Sequence, residues 1–216
     1  MPQTLQARNI TLADLKEDFG LVESLTGPLF SEGSVNLPSL SIMDHELLNK
    51  VKAEYKHLSV YDVLEPIVKM VVLSPLLSVA GFFLPPFRIT AEQKVELVTE
   101  DEGLVVRGLI DLLVFYNQIW IVTIEAKRAD YSLKVAFPQV LTYMLTSPNT
   151  QPIVSGLVTN GSEFRFIQLH KGKNLGEKPS YVMSDLLSID RGDDFYRVAQ
   201  ILKYLGQQVQ SSVTRV

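Results

Sequence analysis

Two carboxylates and a lysine stand out within an otherwise apolar stretch of the chain, residues 104–127. Asp111 is followed fourteen positions later by Glu125, and Lys127 comes two positions after that. Two ionised carboxylates in an apolar sheet repel each other, and burying either without a partner is costly. A divalent cation would hold both, and hard oxygen ligands favour Mg²⁺ or Mn²⁺. The residue types therefore predict a metal site at Asp111 and Glu125.

Lys127 adds a positive charge to this arrangement. Because side chains alternate along a strand, Glu125 and Lys127 leave the same face, and the ammonium points towards whatever the carboxylates hold. An ammonium in that position can hold an attacking water or stabilise charge that develops on a phosphate. The alternative is a structural ion pair in a half-exposed hairpin. The three residues alone leave both interpretations open.

The surrounding residues predict a hairpin that positions these charges. Val, Ile, Leu, Phe, Tyr and Trp dominate both halves of residues 104–127, and turn-prone residues occur between them at Asn117 and Gln118. A tight turn there places Asp111 opposite about Ile124 and beside Glu125. The two carboxylates should therefore be neighbours on paired strands.

Helices and further strands are predicted on both sides of the hairpin. Apolar residues at helical spacing predict a helix over 61–77 with Glu65 near its start, and a second helix over 132–147 with Gln139 and Tyr143 on one face. Other patterns predict helices starting at Ser41 or Asp44 and about Asp193. Strands are predicted over 87–98, 153–159 and 163–169, with the first joined to the hairpin through a turn at 99–103 and the second parallel to the hairpin.

The spacing of these residues resembles the signature of PD-(D/E)XK nucleases. Asp111 and the triplet Glu125, Ala126 and Lys127 match it, with Ile110 at the position of the loosely kept proline. Gln139 and Tyr143 are similar to the QxxxY motif of RecB-like nucleases and of type I restriction enzyme R-subunit N-terminal domains. Glu65, followed by Pro75 and Gly81, resembles the helix that opens restriction-type nuclease domains. The resemblance covers about residues 61–169.

The resemblance implies an α/β fold with a restriction-endonuclease-like core, in which a mixed sheet has helices on both faces in the order αβββαβ. It implies a deoxyribonuclease that hydrolyses phosphodiester bonds with Mg²⁺ or Mn²⁺. Asp111 and Glu125 would bind the metal, Glu65 would complete or support its shell, and Lys127 would orient or activate water. Gln139 and Tyr143 would bind the phosphate. DNA is the implied partner, with a homo-oligomer or restriction or repair subunits as further possibilities.

Glu65 and Tyr143 also have plainer interpretations. A carboxylate at a helix start is stabilised by the helix dipole, so Glu65 can be a capping charge. Tyr143 lies among apolar residues at helical spacing and fits a core position. The match to the family motifs favours the functional roles for both.

Composition limits the classes of protein to be considered. With 216 residues and 46% hydrophobic residues, the chain predicts one domain over 1–216, with a core at about 61–169 and elaborations at 1–60 and 170–216. The absence of cysteine excludes disulfides, thiolate zinc sites and a cysteine nucleophile. A net charge of −4 argues against strong generic binding to phosphate backbones, but it is compatible with a metal site rich in carboxylates.

The sequence predicts a cytoplasmic protein with no membrane role. The first ten residues lack the basic and apolar regions of a secretion signal. Lys69, Pro75 and Gly81 interrupt the longest apolar run. Two rivals to the nuclease remain at this stage: an inactive nucleic-acid-binding or assembly module on the same fold, and a metal-dependent hydrolase of another phosphate ester.

Overall fold

The computed structural model describes residues 3–24, 29–31, 34–99, 104–116, 119–149, 153–172 and 177–213, with side chains described between residues 4 and 209. The strands of this part form one mixed sheet, ordered β1-β4-β5-β6-β7-β8-β2, with β3 paired to β4 and β9 paired to β7. Their bounds are Gln3–Gln6 (β1), Val22–Glu23 (β2), Arg88–Val98 (β3), Leu104–Tyr116 (β4), Ile119–Ala126 (β5), Ile153–Thr159 (β6), Glu163–His170 (β7), Ser180–Met183 (β8) and Leu187–Ser188 (β9).

Helices cover both faces of this sheet. On one face α2, α3, α4 and α6 enclose the larger apolar core, and on the other α1, α5 and a 3₁₀ turn enclose the second. Their bounds are Leu12–Asp18 (α1), Ile42–Leu58 (α2), Glu65–Val68 (α3), Ser74–Val79 (α4), Phe137–Leu145 (α5) and Asp194–Val213 (α6), with 3₁₀ turns at Ala7–Asn9 and Leu133–Val135. This architecture confirms the predicted α/β class with a mixed sheet between helical layers.

The antiparallel pair β4–β5 contains a bulge that the sequence did not reveal. Phe115 pairs with Trp120, whereas Val114 pairs with Val122, so one residue of β5 is left over between them. The next pairs, ending at Leu112 and Ile124, follow the shifted register. Continuing that register places Asp111 opposite Glu125. The prediction that Asp111 faces about Ile124 was therefore wrong by one residue, because simple counting assumes an unbroken ladder.

Beyond Asp111, β4 and β5 separate. β3 pairs with β4 along one edge from Val105 to Phe115, so β5 and β1 share the other edge. β5 pairs antiparallel with residues 112–116 of β4, and β1 pairs parallel with residues 104–107 of the same strand. The segment between them, residues 108–111, borders the gap between these neighbours. We call the point where β4 and β5 separate the fork.

Strand alternation reverses at the same place. Val106 and Ile110 belong to the second core, whereas Leu112 and Val114 contact the first, although even-numbered residues of a regular strand share a face. Across from Asp111, Glu92 has a positive φ of 53° and falls between the paired residues on β3. The reversal puts Asp111 where side chains from both layers of helices can approach it.

The helix that approaches Asp111 is not a uniform α-helix. α3 begins at Glu65, with Pro66 in the first turn where its missing N–H costs nothing, and continues through a π-helical turn, Lys69–Leu73, into α4. The sequence predicted a helical pattern over 61–77 with Glu65 near its start, and α3 does begin at Glu65, but the π-helical turn was not predicted. π-helical turns are rare and often occur at functional sites.

Several element predictions are confirmed. β3, β6, β7 and α6 lie within about a residue of the expected positions, and β5 runs parallel to β6. α2 starts after Ser41, whose side chain accepts from the Asp44 amide while Asp44 accepts from the Ser41 amide. The expected turns at 117–118 and 99–103 lie wholly or largely outside the described residues.

No helix in the described part of the chain has the length and apolar character needed to cross a membrane.

Candidate active site

Asp111 and Glu125 meet at the fork. The Asp111 Oδ2 atom accepts a hydrogen bond of 2.8 Å from the backbone N–H of Ala126, the residue after Glu125. The Glu125 side chain is 1% exposed, and its Oε2 atom is fully buried without a hydrogen-bond partner. Asp111 remains 17% exposed. The site therefore contains one carboxylate at the surface of the cleft and one beneath it with an unused acceptor.

Lys69 joins Asp111 to Glu65. Its Nζ atom lies 2.9 Å from Asp111 Oδ1 and 2.7 Å from Glu65 Oε1. Glu65 and Lys69 are four residues apart on the helix, so both project from the same side. Glu65 thus reaches the site through an ammonium, not through direct contact with Asp111.

Lys127 connects Glu125 to α5. Its Nζ atom donates to Glu125 Oε1 at 2.6 Å and to Gln139 Oε1 at 3.0 Å. Gln139 Nε2 in turn donates to the phenol oxygen of Tyr143 at 2.7 Å. We call Glu125, Lys127, Gln139 and Tyr143 the polar chain. It fixes the direction of the Lys127 ammonium from both ends.

Tyr143 depends on a glycine in β4. A Cβ atom on Gly108 would lie 2.5 Å from Tyr143 Cε1 and 2.7 Å from the Cβ of Ala7, so a larger residue cannot occupy this position without displacement. The close approach lets the phenol reach Gln139 while the tyrosine is only 1% exposed. Gly108 therefore determines how deeply α5 sits against the sheet.

Burial changes the pKa values of the two carboxyls. The pKa of Glu125 is raised to about 8, first by burial and then by the charge of Asp111, while Lys127 opposes both effects. Burial also raises the pKa of Asp111, while hydrogen bonds from Lys69 and Ala126 oppose the change. Without a cation beyond the two lysines, the site therefore retains a proton on Glu125 near neutral pH.

Other pKa values reflect the same charges. Burial alone would lower the pKa of Lys69, but its hydrogen bonds and charge interactions with Glu65 and Asp111 outweigh it and raise the value. The pKa of Tyr143 is raised by burial and by the charge of Glu125. Lys69 and Tyr143 therefore carry a stable positive charge and a stable neutral phenol.

The two carboxylates fit a hard divalent cation. They offer oxygen donors alone, one of them buried without a partner, and the raised pKa of Glu125 indicates a need for positive charge. Among the described residues no three His, Asp or Glu side chains are grouped as a metal site. Mg²⁺ commonly uses one or two carboxylates and retains several waters, so two carboxylates would be enough to hold it here.

The structure places the six predicted residues in two adjoining groups. Lys69 joins Glu65 to Asp111, and direct hydrogen bonds join Glu125, Lys127, Gln139 and Tyr143. The groups meet where Asp111 accepts from the backbone N–H of Ala126. Sequence reasoning missed Lys69, which it treated as an interruption of an apolar run. The signal was present, because Lys69 follows Glu65 by four residues in a predicted helix.

Comparison with protein families gives a match over part of the chain. Residues 87–175 match the family model of the type I restriction enzyme R protein N terminus. Asp111, Glu125, Lys127, Gln139 and Tyr143 lie inside this segment, whereas Glu65 and Lys69 precede it. No curated protein matches the chain. Residues 87–175 are therefore related to the N terminus of type I restriction enzyme R proteins, and the resemblance predicted from the sequence is confirmed.

Proposed function

We propose that this protein is a divalent-metal-dependent deoxyribonuclease that hydrolyses phosphodiester bonds at the fork. The observation that carries the proposal is the buried, unpartnered Oε2 atom of Glu125 beside Asp111, with Lys127 held over the same carboxylate. The relation of residues 87–175 to a restriction enzyme subunit supports nucleic acid as the substrate.

Asp111 and Glu125 would hold the cation, and Glu65 would support it from outside through Lys69. When bound, Mg²⁺ or Mn²⁺ supplies Lewis-acid stabilisation of the phosphate and lowers the pKa of a coordinated water. Glu125 would hold a cation in its ionised form, so it would release on binding the proton that it otherwise retains.

Lys127 would act on the phosphate or on the attacking water. Two of its N–H directions are used by Glu125 and Gln139, which leaves the third for a substrate oxygen. An ammonium held in place stabilises charge that develops in the transition state without reorganising at that moment.

Gln139 and Tyr143 would hold Lys127 and the phosphate in position. Gln139 accepts from Lys127 and donates to Tyr143 through one N–H, so its second amide N–H can meet a phosphate oxygen. The buried phenol fixes the orientation of the amide. In this role Tyr143 acts as a positioning residue and Gln139 as both a positioning and a phosphate-binding residue.

A plasmid-nicking assay tests the proposal. Supercoiled and single-stranded DNA are incubated with wild-type protein and with Asp111→Asn in Mg²⁺, Mn²⁺ or EDTA. Wild type should cut DNA only when Mg²⁺ or Mn²⁺ is present. Asp111→Asn should be inactive and should melt at a temperature similar to that of wild type. Equal cutting rates for both proteins would remove Asp111 from the mechanism.

One observation favours an inactive binding module as the second candidate. Lys69 and Lys127 already pair with Asp111 and Glu125, so the network can be neutralised without a metal. In that case wild type cuts no substrate under any divalent metal, and isothermal titration with Mn²⁺ shows no binding. Either a nicking activity or a Mn²⁺ site lost in Asp111→Asn rejects this candidate.

A further inference from the structure

A groove of about 690 Å³ opens beside the polar chain. Gln139 and Tyr143 form part of its wall, so the groove is continuous with the candidate active site. Its other walls come from β3, β4, the end of β1 and the following 3₁₀ turn. It lies where β1 has replaced β5 along β4, and it therefore exists because the two strands separate.

The groove carries an excess of positive charge on a protein whose net charge is −4. Arg8, Lys94 and Arg107 line it, against a single carboxylate, Glu96. Arg107 Nε pairs with Glu96 at 2.7 Å, whereas Arg8 and Lys94 form no ion pair with another described residue. Two exposed cations are therefore available to an anionic ligand.

Strand pairing explains how these charges come together. Lys94 pairs with Leu109 and Glu96 pairs with Arg107, so all four side chains leave the same face of β3–β4. Arg8 is held nearby because Ala7 is buried against Gly108. Arg8 lies outside residues 87–175, so this chain's own N-terminal segment supplies part of the groove.

We propose that this groove binds the sugar-phosphate backbone of a nucleic-acid strand next to the bond held at the fork, with Arg8, Lys94 and Arg107 contacting phosphates. The identification of the bond as the one that is cut rests on the proposed function, whereas binding in the groove does not. Among the described residues the buried Tyr143 is the one aromatic side chain that lines the groove, so binding should depend on phosphate charge and not on base stacking.

Fluorescence anisotropy of labelled single- and double-stranded DNA and RNA, in EDTA, tests the proposal on the full chain. Arg8→Ala/Lys94→Ala should weaken binding by about tenfold or more at low salt. The slope of log K against log salt should fall by about 0.9 per lost contact on duplex DNA and about 0.7 on a single strand. The matched control, Lys56→Ala/Arg88→Ala, removes the same charge from exposed positions outside the groove.

Glu96→Gln provides a second variant with the opposite sign. It removes the carboxylate that repels phosphate and frees Arg107, so it should tighten binding. Unchanged affinity in the Arg8 and Lys94 variant relative to the control pair overturns the proposal, and so does a wild type that binds no nucleic acid.

The nicking assay separates this outcome from the proposed function. Loss of affinity in the groove variant together with an inactive wild type keeps the groove and rejects the nuclease. Cutting by wild type with no loss of affinity in the groove variant keeps the nuclease and rejects the groove.

Discussion

Glu125 is the residue whose surroundings differ most from those of an ordinary carboxylate. It is almost fully buried, one oxygen pairs with Lys127, and the other has no partner. The unfolded chain gives this carboxyl a pKa near 4.5, and the folded site raises it to about 8. If the proposed site binds a metal ion, this residue would give up its proton to the solvent on binding.

The raised pKa predicts how stability depends on pH. Between pH 4.5 and about 8 the folded state retains a proton that the unfolded state has lost, so the free energy of unfolding should fall as pH rises through this window. Urea denaturation in EDTA at several pH values measures the slope. Glu125→Gln should remove the part of the slope due to this residue, and an unchanged slope would show that Glu125 titrates normally.

Lys127 separates a catalytic from a structural network. If it stabilises the transition state, Lys127→Ala should lower turnover by roughly two orders of magnitude or more, with Mn²⁺ affinity unchanged or increased because a repelling charge is gone. Glu125 already retains a proton near neutral pH when no metal is bound, which limits the cost in stability of losing Lys127. Nicking rates, isothermal titration and thermal melting measure the three quantities.

Lys134→Ala is the matched control, since this lysine is exposed and lies close to Lys127 in the sequence. A purely structural Lys127 would show reduced stability with no selective change in turnover.

At the scale of elements, the sequence predicted most strands and helices because their apolar periodicity is local. It could not predict the bulge between Val114 and Phe115, since no turn residue marks it, nor the π-helical turn. β1, β2, β8 and β9 are two to four residues long and depend on distant partners for their existence. Six residues of the candidate site could be predicted because they match known motifs. Lys69 belongs to no such motif, and its place in the site is recognised from its contact with Asp111.

The close packing of α5 against β4 at Gly108 gives a prediction about stability. Gly108→Ala places a methyl group against Tyr143 and Ala7, and should reduce the free energy of unfolding by about 1–3 kcal/mol. Urea denaturation of Gly108→Ala, Tyr143→Ala and the double variant measures the coupling. Additive effects would show that the two residues do not share this contact.

For the whole molecule, acidic composition and a nucleic-acid substrate are compatible because charge is distributed unevenly. Carboxylates gather at the fork, and cations, two of them without an ion pair to any described residue, gather in the adjacent groove. A sequence-wide net charge of −4 averages over these regions and conceals both. The assignment of residues 1–216 to one domain stays a prediction.

Metal binding should be visible in the stability of the entire chain. A ligand that binds the folded state alone, at about 100 times its Kd, adds about 2.7 kcal/mol. Mn²⁺ should therefore raise the melting temperature of wild type relative to EDTA. Asp111→Asn should lose this rise, and a rise of equal size in the variant would place the metal elsewhere.

The separation of β4 from β5 also has a mechanical meaning. Asp111 lies on β4, which also pairs with β1 and β3, and Glu125 lies on β5, which also pairs with β6. A cation shared by the two carboxylates would link β4 and β5 just beyond the point where their backbone hydrogen bonds end. Amide hydrogen exchange around residues 108–111 and 125–127 should then slow when the cation is bound. The ease with which β4 and β5 separate at the fork would then determine how readily a substrate strand enters and leaves.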